Sequence, residues 1–228
     1  MKKVIYIIIA VLAIGAVKAQ EVEFSLGADV VSSYVWRGAY QTGAAIQPAA
    51  GVSVAGFSLS AWGSVPVFGV AEEVDFTAAY EIAGLSLAIT DYWCVGEGDF
   101  GYFSYRKDET AHAFEATIGY ELPIEKFPLS LSWNTFFGGA DHKLNGDRAY
   151  STYISAAYPF SVKNTDLEAS VGITPWEGAF ADDFAVVNIG LKATRELKIT
   201  NSISLPVFGE IIINPKSEDV FFVFGISL

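Results

Sequence analysis

The residues of this 228-residue chain that could do chemistry are two histidines, one cysteine and a spread of carboxylates. Hydrolysis would need a nucleophile beside a histidine that a third group orients. His112 and His142 lie in no local triad signature, and no Gly-x-Ser-x-Gly elbow is present. No catalytic residue is expected. Asp141–Asp147 (DHKLNGD) holds oxygen ligands and a glycine, but not at the spacing of a calcium loop, so it reads as a solvated loop with no metal. Cys94, the sole cysteine, excludes an internal disulfide and reads as a small apolar side chain. No cofactor is expected. The carboxylates are more orderly. Asp75 and Glu81 share one side of an alternating segment, and Glu115 and Glu121 share one side of another. Asp29, Glu168 and Glu210 take the corresponding side of theirs. Two bases join these seven acids, Arg37 and Lys192, and the other residues on that side are mostly Ser, Thr, Ala and Gly. Fixed carboxylates around a confined aqueous space favour cations over anions.

Such a space needs walls. Between His112 and Phe137 every second residue is apolar: Phe114, Ala116, Ile118, Tyr120 and Leu122, then Leu129, Leu131, Trp133, Thr135 and Phe137 after a polar turn. A period of two makes this a β-hairpin. A soluble sheet would bury the apolar face; a transmembrane barrel turns it to lipid and the polar face to the lumen. Alternation alone does not choose.

Twelve segments repeat the pattern, at about 22–36, 44–56, 57–66, 72–83, 84–94, 109–122, 127–138, 148–160, 164–175, 183–194, 198–213 and 219–228. Tight connections alternate with mostly longer ones, as periplasmic turns alternate with external loops in bacterial barrels. Aromatic residues gather at the ends of the apolar faces. Tyr34, Trp36, Phe76, Trp93, Trp133, Phe137 and Tyr150 fall toward one rim, and Phe24, Tyr80, Tyr120 and Tyr158 toward the other. That is the double girdle of rings at lipid interfaces. Core packing in a sandwich would favour strand centres instead. The expected fold is all-β, a single antiparallel transmembrane barrel of about twelve strands over residues 20–228. Three features resist it: Asp91 on the lipid side unless a bulge near Thr90 re-aims it, Pro48, and Pro206 inside a strand. Ten or fourteen strands stay open.

Residues 1–19 read as a signal peptide: Lys2 and Lys3, then an apolar run from Val4 to Val17 too short to span a membrane as a helix, then Val17-Lys18-Ala19 before the cut. Removing Lys2, Lys3 and Lys18 leaves 11 basic against 26 acidic side chains, a net charge of −15. So acidic a chain does not seek nucleic acid. The last segment, DVFFVFGISL, puts Val220, Phe222, Phe224, Ile226 and Leu228 on one face and must pair with the first strand to remove both edges. It is similar to the C-terminal strands that barrel assembly machinery reads, with Leu in place of the more usual Phe.

From Ser32 the chain reads SSYVWRGAYQTGAAIQPAAGVSVAGFSLSAWGSV. This resembles the opening of the TorF-like porin family (also catalogued as Gcw_chp), with its Ser-Asp-Tyr-Val-Phe-Arg-Gly, a Gln soon after, and an apolar strand with Trp. Ser32, Tyr34, Val35, Arg37, Gly38, Gln41 and Gln47 match in kind; Ser33 replaces the Asp and Trp36 the Phe. The likeness covers about residues 30–82 and is looser beyond. It implies an outer-membrane barrel presumed to be a pore, with no agreed substrate. Arg37 has inward parity beside Gly38. A structural ion pair or an outer-lipid phosphate contact is preferred for it over pairing with a lumenal carboxylate or holding an anionic solute at the mouth.

The expected function is a small porin-like channel in the outer membrane of a Gram-negative bacterium, passing small solutes or ions with a preference for cations. Its partners are outer-membrane lipid, the assembly machinery and those solutes. The alternative is a non-conducting barrel with a structural or adhesive role through its external loops.

Overall fold

The structure is a computed structural model that describes residues 21–95, 100–106, 109–124, 127–200 and 203–228. The expected signal peptide lies outside the described residues. Twelve antiparallel strands form a closed barrel: β1 (Glu23–Val31), β4 (Ala45–Val54), β5 (Phe57–Pro66), β6 (Glu72–Ile82), β7 (Leu85–Val95), β8 (His112–Glu121), β9 (Ser130–Gly139), β10 (Thr152–Val162), β11 (Thr165–Thr174), β12 (Ala185–Lys198), β13 (Ser204–Asn214) and β14 (Asp219–Ser227). Each strand from β4 to β14 pairs with its neighbours in the chain, and β1 closes the ring between β4 and β14. Two further strands, β2 (Tyr34–Trp36) and β3 (Ala39–Thr42), pair only with each other as a short ribbon.

Cross-strand register fixes which side chains face out. Leu87, Ile118 and Trp133 lie opposite one another across β7, β8 and β9 and are all exposed, while Ala88, Thr117 and Asn134 in the adjacent row face in. The outward rows are mostly apolar on every wall strand. Phe24, Leu59, Ile89, Ile118 and Phe222 are each more than half exposed. Water would not tolerate so continuous an apolar surface, and lipid would. So apolar an exterior is consistent with lipid contact.

Two ends can be told apart. At the turn end, β4–β5 and β6–β7 are joined by Ala55-Gly56 and Ala83-Gly84, with φ of 58° and 82° and of 50° and 81°. Positive φ at both central residues is the type I′ geometry whose twist suits a hairpin. At the loop end the connections include 140–151 and 175–184. Phe24, Tyr80, Tyr120 and Tyr158 lie near the turn end as expected, with Phe57 and Phe127 packed on Tyr80 and Tyr158.

Tyr34 and Trp36 break the expected girdle. The first segment does not run to residue 36: β1 stops at Val31, and the chain turns into the barrel as the ribbon. Both rings lie inside, Tyr34 against Trp62 and Trp36 against Tyr92, Phe136 and Phe180. β12 also runs further than expected, through Arg195–Leu197 to Lys198.

The three awkward residues are accommodated without changing the strand number. The β6–β7 register is unbroken from Glu72↔Val95 to Ile82↔Leu85, so no bulge re-aims Asp91. It stays on the outer face, where its Oδ1 lies 2.8 Å from His112 Nδ1. The His112 Nε2 lies 2.5 Å from the Tyr102 carbonyl, and the rings of Tyr102 and Tyr105 cover the imidazole. A segment folded down over the wall thus pairs and hides the polar groups. At Pro48 the β4–β5 ladder lapses between Ile46↔Val65 and Ala49↔Trp62 and resumes in the same register. Pro206 stands one residue beyond Val207↔Ile226, the last β13–β14 pair, where that ladder has ended.

Candidate functional site

The candidate site is the interior, which has two parts. At the loop end the ribbon crosses it. Arg37, at φ 51°, and Gly38, at φ 79°, form the turn between β2 and β3. Gly38 is required twice over: its φ is left-handed, and a Cβ there would collide with the Val187 carbonyl of β12. Asn214 of β13 donates its side-chain N–H to the Gly38 carbonyl at 3.1 Å. The ribbon's tip is therefore moored to the wall at β12 and β13.

From that tip Arg37 reaches across to β8. Its two guanidinium nitrogens donate to both oxygens of Glu115 at 2.6 and 2.8 Å, a bidentate pair. The side chains are 10% and 1% exposed. The Tyr92 hydroxyl donates to the same carboxylate at 3.0 Å. Rings of Trp36, Tyr153 and Phe180 surround the guanidinium, with centroids 4.3, 4.8 and 5.4 Å from its carbon. Phe180 comes from the 175–184 loop and also packs on Tyr153 and Phe136. Two apolar clusters complete the filling. One is Val31, Ala45, Ile212 and Val223; the other is Tyr153, Ala185 and Val187.

At the same end, β6 offers two more carboxylates to the interior. Tyr34 and Cys94 both hydrogen-bond Glu73. Burial, and then the charges of Glu73 and Asp75, push the Tyr34 hydroxyl above the ordinary tyrosine range. Asp75 pairs in register with Trp62 and Tyr92, and its Oδ1 has no hydrogen-bond partner among the described residues.

The turn end is different. Its inward residues are small: Ser60, Ala79, Ala88, Gly119, Ser132 and Ser155 lie on successive strands. Glu81 and Glu121 are exposed near this rim, and Asp29 is half-buried beside Gln47 of β4. Glu168, Lys192 and Glu210 form one row across β11, β12 and β13. The Lys192 ammonium lies 4.3 Å from the centre of the Phe208 ring.

By register the wall residues among the nine singled out in the sequence share the inward parity, and Arg37 reaches the interior from the ribbon, but they do not form one ring. Arg37 and Glu115 are bound together at the loop end and Asp75 lies near them. Glu168, Lys192 and Glu210 sit on the opposite side of the barrel, in a row that begins near the β10–β11 turn and reaches mid-strand on β12 and β13. Sequence reasoning missed Glu73, although it shares the parity of Asp75. It also missed the filling by Trp36, Phe136, Tyr153 and Phe180, which no periodicity signals. His142 keeps both ring nitrogens buried without a hydrogen-bond partner, and no serine pairs with either histidine among the described residues. No protein-family model and no curated protein matches the chain.

Proposed function

We propose that this protein is an outer-membrane barrel of a Gram-negative bacterium, with its turns in the periplasm, and that it passes small ions at low conductance through an interior narrowed by the ribbon. The TorF-like opening at Ser32–Val65 supports the location; its first part is the ribbon in the lumen and the rest lies in β4 and β5 of the wall. One observation carries the reading: an apolar exterior encloses an interior of small polar residues that keeps Asp29, Glu81, Glu121, Glu168 and Glu210 unpaired by any salt bridge among the described residues. Low-dielectric walls focus the field of such carboxylates and enrich cations near them. No catalytic step enters this reading.

A second reading rests on the buried Arg37–Glu115 pair and the rings around it. A lumen closed there at all times makes a non-conducting barrel that holds its loops at the surface. Planar-bilayer recording of the purified protein decides between the two. Small, cation-preferring steps whose selectivity fades as salt rises support the first; salt screens over about 10 Å at 0.1 M. A silent bilayer after verified insertion removes the channel.

A further inference from the structure

The outer wall carries one feature that lipid contact in general does not require. Two outward rows cross neighbouring strands between β11 and β1. Nearer the turn end lie Arg195, Val207, Ile226 and Val30, opposite one another in register. Next to it lie Leu167, Ala193, Gly209 and Phe224, and Ser32 continues this row by two hydrogen bonds to Phe224. Between the larger side chains of these rows, Ala193 and Gly209 leave a trough. Its volume is about 670 Å³, with Phe224 and Ile226 along its sides. Five strands at about 4.8 Å spacing give it a length of about 19 Å. Because of the stagger between strands it starts at the turn rim beside β11 and ends partway up β1.

The charge at its lower end is unusual for this chain. Arg195 is the single basic side chain on the outward face of the described wall strands. A second hollow of about 700 Å³ adjoins the trough at Arg195 and Thr165, and its other lining includes Lys163 and Asn164 of the β10–β11 turn. Lys163 and Arg195 are exposed, and neither has a salt bridge among the described residues. In a protein with 26 acidic side chains, two unpaired cations facing outward at the mouth of an apolar trough are complementary to an anion with a hydrocarbon tail.

We infer that this trough is a binding site for one anionic diacyl phospholipid, its phosphate held by Arg195 and Lys163 and one acyl chain laid over Ala193 and Gly209 between Phe224 and Ile226. The inference rests on the membrane reading above. It adds that the turn end sits in a phospholipid leaflet and selects a lipid there rather than merely touching it.

The test uses the full-length mature protein, refolded and purified in a non-ionic detergent. Phosphatidylglycerol or phosphatidylcholine of matched chains is added, and native mass spectrometry counts the lipid retained. We expect one phosphatidylglycerol retained with a preference of about 30-fold, the size expected of two basic side chains near a lipid surface. The pair Lys163→Gln with Arg195→Gln should remove that preference. Gly209→Leu should weaken both lipids alike, because its Cβ would meet Phe224 and the Val223 carbonyl at ordinary contact distances, 3.6 and 3.9 Å, and the rest would fill the trough. Arg106→Gln, in a loop at the other end, should change nothing. Equal retention of both lipids, or an unchanged preference in the double variant, overturns the site. Displacement by glycerol 3-phosphate alone at equal concentration also overturns it, since a phosphate contact would then suffice. Insertion into vesicles is measured in parallel. A protein that inserts without lipid preference loses only this site, whereas one that fails to insert into vesicles of either lipid loses the membrane reading and the site together.

Discussion

The two halves of this barrel's interior follow different building rules. The loop half is built like the core of a soluble protein: Trp36, Phe136, Tyr153 and Phe180 pack together, and the Arg37–Glu115 pair is enclosed with its hydrogen bonds met. The turn half is built like a vessel wall, with Ser, Ala and Gly inward and carboxylates left in the open. The same twelve strands make both. The ribbon makes the difference, because it brings its own apolar residues into the upper half and gives the inward-facing wall something to pack against. A barrel of this size therefore does not dictate whether its lumen is filled; a few residues between two strands do.

The comparison can be broken most decisively by removing the ribbon. Replacing residues 34–42 with a short Gly/Ser linker should raise single-channel conductance severalfold, and unchanged conductance would show that the ribbon is not the constriction. The next largest effect is on stability. Arg37→Ala leaves the Glu115 carboxylate enclosed without its partner, at a cost of about 3–5 kcal/mol, whereas Arg37→Met with Glu115→Met should be close to neutral. Urea unfolding in detergent measures both, and an Arg37→Ala variant as stable as the parent would mean that the loop half is not a core. Arg37→Lys should not restore the parent, since an ammonium cannot make the bidentate contact.

A third experiment tests the wall that the halves share. Ile118 is 55% exposed on the outer face, and Thr117 faces in and donates to Asn134. Ile118→Arg should cost about 2–4 kcal/mol in a bilayer, and Thr117→Arg much less. The reverse order in vesicle-folding yields would mean that the facing is off by one residue. The smallest expected effect concerns selectivity. Neutralising Glu168 and Glu210, which no salt bridge occupies among the described residues, should move the reversal potential toward zero under a salt gradient. Neutralising Glu115, already occupied by Arg37, should move it less. If Glu115 dominates instead, the open half does not set the charge seen by ions.

The sequence made the wall legible because each strand obeys a period of two that lipid and lumen both enforce. Ile118 and Thr117 could be assigned to opposite faces from their neighbours alone. The ribbon was hidden for the same reason. Tyr34 and Trp36 continue the alternation of the strand before them, so parity assigned them to lipid when the chain had already turned inward. The Arg37–Glu115 pair joins positions 78 apart in the chain, and no local pattern reports such a contact. The inward parity of Arg37 was legible, but whether it met a carboxylate, a lipid phosphate or a solute was not, because its partner Glu115 needed the fold. Asp91 looked like an error in the alternation because its remedy lies in His112, on the next strand, and in Tyr102 of the intervening segment.

The join between β1 and β14 is short, held in register by Asp29↔Ser227, Val30↔Ile226 and Val31↔Gly225. Its consequence is kinetic. All but two of the wall's joins link strands adjacent in the chain, and β1–β4 spans only the ribbon, so these hairpins can form with little loop to close. The β1–β14 join must bring together residues roughly 200 positions apart, and loop-closure entropy grows with that separation. It therefore forms last, from an otherwise complete curved sheet. Until then β1 and β14 are free edges able to pair with another strand. Weakening these few late-forming pairs should speed opening of the finished barrel more than it slows formation of the hairpins, and the unclosed sheet is the species most open to capture during assembly.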